Sequence, residues 1–331
     1  MKIAVDVMGF ENEISEAIFA CQSFVNFYQD VEIILVGDEV KIRPFLQQSN
    51  NRISVLHTDQ FISQDDSILN LRTKTNSSMQ LAANLLANKK VDGLLSAGNT
   101  AIFVFIMYST IGMIDGINKL GFMPTIPTRN GKVFNMIDVG ANIDVTPDDL
   151  VKFAIMGSIY AKQRTFSEPK IGILNIGTEH HKGRALERET AELIKTKTKL
   201  NYVGFVEPKN LLDYAADVIV TDGFSGNLVL KTMEGTAKTI GGFLKDEYKK
   251  PWNILGKITS VFALKKLKST FDYKENAGAF VMGLKQICVK THGSADKRQF
   301  SSSLRMLYNC IKNDVVKQIT TQIKKYENET K

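Results

Sequence analysis

The amino-acid sequence predicts an α/β protein built on a mainly parallel sheet. Residues 2–7 and 31–36 have the continuous apolar character of buried parallel strands, and Ile14, Ile18 and Cys21 between them recur at helical spacing. Four later strand-like runs each end in a polar turn that contains glycine. Because open α/β sheets bind ligands at the carboxyl ends of their strands, these four turns predict one shared crevice.

The four turns share an abrupt change from apolar residues to glycine combined with Asn, Thr, Ser or an acid. They are 94–100, 136–142, 173–179 and 218–227. In the last turn the strand ends at Asp222, Gly223 and Gly226 allow close backbone approach, and a helix-compatible run follows from Leu228. We expect this turn to direct free backbone N–H groups towards an anion, a phosphate or a developing oxyanion.

Apolar runs predict the other elements in order. Strands are expected at 52–56, 91–96, 132–139, 170–176, 202–206 and 217–220, and helices at 79–88, 101–108, 184–195 and along one long terminal stripe from Leu304 to Ile323. Ser77 or Ser78 should cap the first of these helices and Asn99 or Thr100 the second, which we expect to be buried on most sides.

Proline marks two further boundaries. At 146–149, Thr146 is the expected cap of a helix, Pro147 its first residue and Asp149 the acid three residues after the cap. Pro124 and Pro127 instead predict a loop before the strand at 132–139.

Composition indicates a globular protein that can bury one large core or two lobes, since 44% of its 331 residues are hydrophobic. Asp6 lies where a signal peptide would be apolar, and no run approaches the roughly 18 apolar residues of a membrane span, so we expect a cytosolic protein. Cys21, Cys288 and Cys310 are odd in number and far apart. They are expected to be reduced core thiols, neither disulfides nor zinc ligands.

The motifs that the sequence lacks narrow the chemistry. It has neither the G-x-x-x-x-G-K-[ST] loop nor the G-x-G-x-x-G fingerprint, which argues against ATP hydrolysis and dinucleotide binding. Ser225 has no glycine two residues later, so we interpret it as a hydrogen-bond donor and not as a nucleophile. His180 and His181 are adjacent and lack the spacing of a zinc helix, so no metal site is expected.

The net charge of +7 fits an acidic partner or solvated lysine faces equally well. No helix-turn-helix, zinc-finger or RNA-binding motif is present, so no nucleic-acid partner is expected. Lysines are dense in the segment 245–268, which also carries an apolar stripe. The stripe consists of Trp252, Ile254, Leu255, Ile258, Val261 and Phe262. Such a segment is typical of a helix in a membrane interface, or equally of one packed on a partner subunit.

Several motifs in combination resemble the bacterial phosphate acyltransferase family, PlsX. They are SAGNT at 96–100, DVGANID at 138–144, LNIGTE at 174–179 with KG at 182–183, VTDGFSGN at 220–227, and the segments 2–9 and 283–294. The resemblance extends from residue 1 to about residue 320. It implies one domain over 1–331, with two lobes possible, in a three-layer α/β/α fold like that of isopropylmalate dehydrogenases and phosphotransacetylases. The segment 245–270 would be an amphipathic hairpin protruding from it.

The resemblance also implies a function. The family transfers a long-chain fatty acyl group from acyl carrier protein to inorganic phosphate without a cofactor. The acyl phosphate then serves a membrane glycerol-phosphate acyltransferase, which starts phospholipid synthesis. The protein would be a cytoplasmic homodimer that associates peripherally with the membrane through the 245–270 hairpin.

The matching motifs imply roles for individual residues. Lys182 would clamp phosphate, Asn227 would donate a hydrogen bond to the reacting oxygens, and Asp222 would either orient one of them or serve the structure of its turn. Other residues expected to bind substrate are Asn99, Thr100, Gly140, Asn142, Thr178, Glu179, Gly223, Ser225 and His292.

The chain departs from the family pattern near its start and before its last strands. Phe10 follows Gly9 where a second glycine is usual, and Ala101 and Ala277 stand where glycine is common. Because Phe10 is bulky, it could crowd a turn that faces the ligand. Two alternatives therefore stay open: an enzyme like phosphotransacetylase that uses acyl-CoA, and a catalytically impaired membrane-associated scaffold.

Overall fold

The computed structural model describes residues 1–46, 51–163, 168–250 and 278–330, and the chain divides into two compact units. Unit 1 contains Met1–Pro124 and Lys274–Lys331, and unit 2 contains Thr125–Tyr273. Each unit has a mainly parallel sheet with helices packed on it, which confirms the predicted α/β fold class.

Strands and helices alternate along most of the described chain. The strands are β1 Lys2–Asp6, β2 Glu32–Gly37, β3 Ile53–His57, β4 Gly93–Ser96, β5 Gly121–Pro127, β6 Val133–Ile137, β7 Lys170–Leu174, β8 Asn201–Val206, β9 Val218–Val220, β10 Ala279–Met282 and β11 Ile287–Lys290. The helices are α1 Ile14–Phe27, α2 Glu39–Ile42, α3 Ser78–Ala87, α4 Thr100–Ile111, α5 Pro147–Lys162, α6 Ala185–Lys197, α7 Gly223–Glu247, α8 Lys297–Lys312 and α9 Val315–Thr330.

In unit 1 the hydrogen-bonded strand order is β3-β2-β1-β4-β11-β10-β5. Neighbours from β3 to β11 are parallel, whereas β10 is antiparallel to β11 and to the first half of β5. Helix α1 packs against α8, and α3 packs against α4. The fully buried side chains of Ile3, Leu35 and Phe300 belong to the core of this unit.

In unit 2 the order is β5-β6-β9-β7-β8, and all pairs are parallel except that of β5 with β6. Phe134, Met136 and Ile219 form part of a buried cluster against which Val229 and Met233 of α7 pack. Positions 229 and 233 are one helical turn apart, so α7 contacts this core through a narrow apolar stripe. Most of its remaining length is exposed.

Two predicted helix caps are confirmed and one is not. The Thr146 hydroxyl accepts the N–H of Asp149 at 3.2 Å, and the Asp149 carboxylate accepts the N–H of Thr146 at 2.9 Å, so α5 begins with the expected capping box. Asn99 caps α4 by accepting the N–H of Ile102 at 3.2 Å. Ser77 occupies the cap position of α3, but its buried hydroxyl has no hydrogen-bond partner within the described residues.

Two expected boundaries are wrong. Pro124 and Pro127 lie in strand β5, not in a loop. The strand tolerates them because Pro127 is its last residue and Pro124 stands where its partner changes from β10 to β6. Helix α7 begins at Gly223 instead of Leu228, because Asp222 caps it.

Two other helical expectations also need correction. Helix α4 is buried on one side only, since Phe105 is 42% and Tyr108 is 52% exposed. The single long terminal helix is in fact two helices, α8 and α9. The chain breaks between them because Asp314 adopts a φ of +49°, which a continuous helix does not allow.

The three cysteines are buried and free, as predicted, and burial raises the pKa of each thiol. In the parts of the chain that the structure describes, no helix has both the length and the apolar character to cross a membrane. The predicted stripe from Trp252 to Phe262 lies outside the described residues, so the membrane hairpin stays a prediction.

Candidate active site

Three of the four polar turns lie side by side in unit 2. They follow β6, β9 and β7, which are consecutive parallel neighbours in the sheet. The segments 138–142, 222–227 and 175–183 therefore meet at the carboxyl edge of one sheet. The fourth turn follows β4 in unit 1, and its membership of a shared crevice stays a prediction.

The first turn of α7 docks directly on the backbone of the 138–142 turn. The N–H of Gly223 donates to the carbonyl of Asn142 at 2.8 Å. A Cβ at Gly223 would lie 2.4 Å from that carbonyl oxygen, and a Cβ at Gly226 would lie 2.0 Å from the carbonyl oxygen of Asp138. Only glycine fits at these two positions, and the group that they approach is the neighbouring turn. Close approach of this backbone to a ligand stays a prediction.

Asp138 holds the 138–142 turn in shape, a role that the sequence did not reveal. Its fully buried carboxylate accepts the backbone N–H groups of Ala141 at 3.1 Å and Asn142 at 2.8 Å. It also accepts the side-chain amide of Asn142 at 2.9 Å. Asn142, a predicted substrate residue, thus directs its amide towards the interior of its own turn.

Asp222 is the N-cap of α7. Its Oδ1 accepts the N–H of Ser225 at 2.8 Å, and its Oδ2 accepts the Ser225 hydroxyl at 2.9 Å together with the guanidinium of Arg184. Burial alone would raise the pKa of Asp222, but the hydrogen bonds from Ser225 and Arg184 outweigh it and lower the pKa. These contacts favour the structural role of Asp222 over a direct contact with Lys182 or Asn227.

The amides at the start of α7 are largely occupied by the chain itself. Gly223 donates to Asn142, Ser225 to the Asp222 carboxylate, and Gly226 to the Asp222 carbonyl at 2.9 Å. The expectation that this turn presents free N–H groups is therefore wrong for these three residues. A carboxylate of the protein already neutralises the positive end of the helix.

Asn227 keeps its side-chain amide uncommitted. It lies one turn into α7 and against Gly140, where a Cβ would come within 3.3 Å of the Asn227 side chain. Gly140 has a φ of +115°, which residues with a Cβ rarely adopt. Within the described residues the Asn227 amide makes no hydrogen bond. It is therefore available to a ligand, in contrast to the amide of Asn142.

Lys182 lies across the turn that follows β7. Its Nζ is 3.1 Å from the carboxylate of Glu179, and about half of each side chain is exposed. A Cβ at Gly177 would lie only 2.6 Å from Cδ of Lys182, so the glycine makes room for the lysine. The backbone N–H of Glu179, and then Lys182, lower the pKa of the Glu179 carboxyl. Thr178 lies between these residues and is exposed.

Arg184 joins two of the turns, a contact that no sequence motif indicates. Its Nε donates to Glu187 at 3.0 Å, and its Nη2 donates to the carboxylates of both Glu187 and Asp222. Glu187, followed by Asp222, raises the pKa of the Arg184 guanidinium. The contact with Asp222 spans 38 positions of sequence, which is why local spacing could not reveal it.

Unit 1 carries the remaining predicted residues. The Asn99 amide donates to carbonyls of the 64–66 loop at 2.8 and 3.3 Å, so it holds that loop in addition to capping α4. Nδ1 of His292 accepts the N–H of Ser294 at 3.1 Å. Thr100 and His292 are exposed. In the described ranges, no group of three His, Cys, Asp or Glu side chains could hold a metal ion.

A row of polar residues crosses the carboxyl ends of three strands of unit 1. Asp6, Ser96 and Lys290 are in register on β1, β4 and β11, and we call them the buried polar row. Ser96 donates to Asp6 at 2.7 Å, and Lys290 donates to the carbonyl of Thr291. Burial raises the pKa of Asp6 and lowers that of Lys290 to about 7. No sequence pattern predicted that these three residues lie together.

Glycine-rich turns at the carboxyl edge of a parallel sheet, with a half-exposed lysine and an amide that makes no hydrogen bond within the described residues, place the chain in the class of α/β proteins with a polar sheet edge. The fold is similar to that of a phosphotransacetylase from Streptococcus pyogenes, with a TM-score of 0.63 over 96% of this chain and 94% of that chain. The two sequences are 17% identical, so this likeness establishes the fold alone.

Comparison of sequences identifies the family. A family model described as "Fatty acid synthesis protein" matches residues 1–318. A protein of Ureaplasma parvum serovar 3 named "Phosphate acyltransferase" is 52% identical, with 98% of each chain covered. A protein of Malacoplasma penetrans with the same name is 47% identical, again with 98% of each chain covered. The chain belongs to the phosphate acyltransferase family, which confirms the resemblance drawn from its motifs.

Proposed function

We propose that this enzyme transfers a long-chain fatty acyl group from the thioester of acyl carrier protein to inorganic phosphate. Family membership supports acyl transfer to phosphate as the reaction. The observation that carries the proposal to individual residues comes from unit 2. There the Asn227 amide makes no hydrogen bond within the described residues and the half-exposed Lys182 pairs with the equally exposed Glu179, whereas the buried polar groups around them bind one another.

The reaction needs a held nucleophile more than a strong base. An oxygen of hydrogen phosphate attacks the thioester carbonyl carbon, a C–O bond forms and the C–S bond breaks. The carrier leaves as a thiol, because its thiolate takes up the proton that phosphate gives up. Phosphate is already an anion near neutral pH, so positioning supplies most of the advantage. Since a thioester and an acyl phosphate are both activated carbonyl compounds, the reaction requires neither a cofactor nor a metal.

Lys182 and Asn227 fit two different tasks in this reaction. The ammonium of Lys182 would clamp phosphate and offset negative charge as the tetrahedral oxyanion develops. The amide of Asn227 would donate a hydrogen bond to the reacting oxygens, and such donors stabilise the transition state more than the ground state. Gly140 and Gly223 would shape this edge, because side chains there would displace Asn227 or separate α7 from the 138–142 turn.

We further propose that phosphate binds beside Lys182 and Thr178 and not on the axis of α7. The buried, ionised Asp222 already occupies the N-terminus of that helix and would repel a second anion. Glu179 would release Lys182 when phosphate binds, which costs little because both side chains are half exposed. In unit 1, Asn99, Thr100 and His292 remain proposed substrate residues on the strength of the family motifs.

A specific contact weakens the alternative of an inactive scaffold. That alternative was motivated by Phe10, which could have crowded a turn facing the ligand. Instead, the ring of Phe10 packs edge-to-face on the buried Phe300, with centroids 5.3 Å apart. Ala277 lies outside the described residues. An enzyme that prefers acyl-CoA remains the second candidate, and competition between donors separates it from the first.

The proposal is tested by mixing the purified protein with palmitoyl acyl carrier protein, with and without phosphate. Hydroxylamine traps acyl phosphate as a hydroxamate while the released carrier thiol is counted. We expect hydroxamate and thiol in equal amounts, both dependent on phosphate. If the enzyme prefers palmitoyl-CoA when both donors are present, acyl-CoA and not acyl carrier protein is the donor. If neither donor gives product, the proposed activity is refuted.

We also propose that the enzyme is a cytoplasmic homodimer that binds the membrane peripherally through the 245–270 hairpin. Acyl phosphate formed there would reach the membrane glycerol-phosphate acyltransferase without crossing bulk water. The basic and apolar composition of 245–268 supports this proposal.

Paired charge substitutions test the hairpin. Trp252→Glu with Ile258→Glu should abolish co-sedimentation with anionic lipid vesicles while leaving turnover of soluble substrate unchanged, because acidic side chains oppose insertion into the apolar and anionic interface. Glutamate substitutions at Thr321 and Gln322, two neutral exposed residues of α9, add the same two negative charges and serve as the charge-matched control. Vesicle binding that survives in the hairpin variant would contradict the assignment.

A further inference from the structure

We infer that Arg184 is a positioning residue that fixes the separation of Lys182 from Asn227. This inference rests on the proposed function, in which Lys182 and Asn227 contact phosphate or the reacting oxygens. Arg184 itself touches neither; it acts through the two turns that carry them.

The position of Arg184 is unfavourable for the helix that it starts. It is the N-cap residue of α6, where short polar or acidic side chains are preferred and a cation opposes the helix dipole. Two buried carboxylates offset this cost, since Glu187 is 6% and Asp222 is 2% exposed. The backbone N–H of Arg184 is bound by Glu187 at 2.9 Å, a bond that any residue could make, so the choice of arginine at this position is better explained by the bridge between two buried acids.

The bridge joins the two turns that carry the open groups. On the side of α6, Arg184 follows Lys182 with only Gly183 between them. Gly183 has a φ of +89°, and a Cβ there would lie 2.1 Å from the side chain of Asn175. The Asn175 amide also donates to the carbonyl of Lys182 at 3.1 Å. This short connection has little freedom, so a displacement of Arg184 is transmitted to Lys182.

On the side of α7, Arg184 binds the carboxylate that caps the helix of Asn227. Asp222 is held by Ser225 within its own turn, and α7 is anchored on the 138–142 turn through Gly223. Neither of those contacts reaches the 175–183 turn. The ion pair between Arg184 and Asp222 is therefore the contact that ties the turn of Lys182 to the helix of Asn227, among the contacts that these two residues make with described residues.

Arg184→Lys tests the inference while keeping the charge. A lysine ammonium is a point charge and lacks the planar fork that lets one guanidinium serve two carboxylates. We expect the KM for phosphate to rise and kcat to fall, each on the order of tenfold, while the KM for the acyl donor changes less than twofold. Arg129→Lys is the matched control, because Arg129 pairs with Asp213 on the exposed surface of the same unit. It should leave all three constants unchanged.

A double-variant cycle shows whether Arg184 acts through Asp222. If it does, Arg184→Lys combined with Asp222→Asn should lose much less activity than the product of the two single losses. Independent, multiplying losses would overturn the bridge. A lower Tm of Arg184→Lys with wild-type kinetic constants would also overturn the inference, by reducing Arg184 to a stabilising contact.

A binding measurement separates this inference from the proposed activity. Phosphate alone should raise the Tm of the wild-type protein and of Arg129→Lys, and should raise that of Arg184→Lys clearly less. If the wild-type protein forms no acyl phosphate, the proposed function fails, but the phosphate-dependent Tm still decides the role of Arg184. An equal rise in all three proteins would refute it.

Discussion

The two units both place polar residues at the carboxyl ends of parallel strands, yet they use them in opposite ways. In unit 1 the buried polar row satisfies itself: Ser96 donates to Asp6, and Lys290 donates to the next carbonyl. In unit 2 the buried acids Asp138 and Asp222 are likewise bound internally, whereas Lys182 is half exposed and pairs with the equally exposed Glu179, and the Asn227 amide makes no hydrogen bond within the described residues. A polar strand end is therefore not by itself evidence of a ligand site; a donor that is exposed or makes no hydrogen bond within the described residues is the stronger indication.

Two buried carboxylates of unit 2 show that a polar group at a strand end can serve the structure alone. Asp138 directly follows β6 and Asp222 comes two residues after the end of β9, so each would pass as a candidate catalytic acid. Both instead organise backbone, Asp138 by accepting three N–H groups and Asp222 by capping α7. Their buried charges hold the frame on which the open lysine and amide are presented.

The largest expected effect comes from removing the open cation of unit 2. Lys182→Ala should lower kcat/KM by about 10²-fold or more, the scale of losing one charge-stabilising donor, with little change in Tm because the side chain is half exposed. Steady-state kinetics and thermal unfolding measure both quantities. Lys195→Ala is the control, as an exposed lysine that also pairs with a glutamate three residues away. Wild-type turnover in folded Lys182→Ala would remove this lysine from the mechanism.

Two asparagines of unit 2 should respond in opposite ways. Asn227→Ala should lower kcat/KM about tenfold to 10²-fold at unchanged stability, because its amide makes no hydrogen bond with the described part of the chain. Asn142→Ala should instead lower the free energy of unfolding by about 1–3 kcal/mol, because it removes a donor from the buried Asp138. Kinetics and urea unfolding of the two variants provide the comparison, and the reverse pattern would break the contrast between open and committed amides.

The smallest effect concerns the buried polar row. The pKa of Lys290 is about 7 in the folded protein and near 10.5 when exposed, so between pH 7 and 9 the unfolded chain binds more protons. Its contribution to the free energy of unfolding therefore rises with pH across that window, by about 2 kcal/mol. The raised pKa of Asp6 acts in the opposite sense, with stability falling as pH rises from 3.8 through the folded pKa.

Lys290→Met isolates this term. The unfolding free energy of wild type minus that of the variant should increase from pH 7 to pH 9, while the ionisation of groups that do not interact with Lys290, including the thiols of the unfolded chain, cancels in the difference. Glu11 and Asp6 are the acids that act on this lysine. Urea unfolding at several pH values measures this difference in unfolding free energy. A difference that does not change with pH would show that folding does not lower the pKa of Lys290.

Local patterns predicted what depends on neighbours in sequence. The cap at Thr146 was predicted correctly because all its parts lie within four residues, and the strands were found because burial makes them continuously apolar. Strand β5 was missed because proline normally argues against a strand. Pro124 and Pro127 are tolerated here because of where β5 pairs with β10 and β6, and that pairing is not visible in the local sequence. The break at Asp314 was missed because nothing in its residue type forces a positive φ.

The site was predictable to the same extent. Motifs led to the three turns, but which groups stay open depends on distant contacts. Arg184 reaches Asp222 over 38 positions, and Asp138 faces glycines of a helix that begins more than eighty residues later. Spacing rules therefore could not assign either residue, nor could they show that Asp222 neutralises the helix terminus offered to phosphate.

The burial of the three cysteines has a practical consequence. Cys21, Cys288 and Cys310 are 0% exposed and all belong to unit 1. A colorimetric disulfide reagent should therefore register the sulfhydryl released from the carrier against almost no background from the native enzyme. Without substrate, the rate at which the reagent labels these three thiols measures how often unit 1 opens. Unit 2 contributes no signal, because it contains no cysteine.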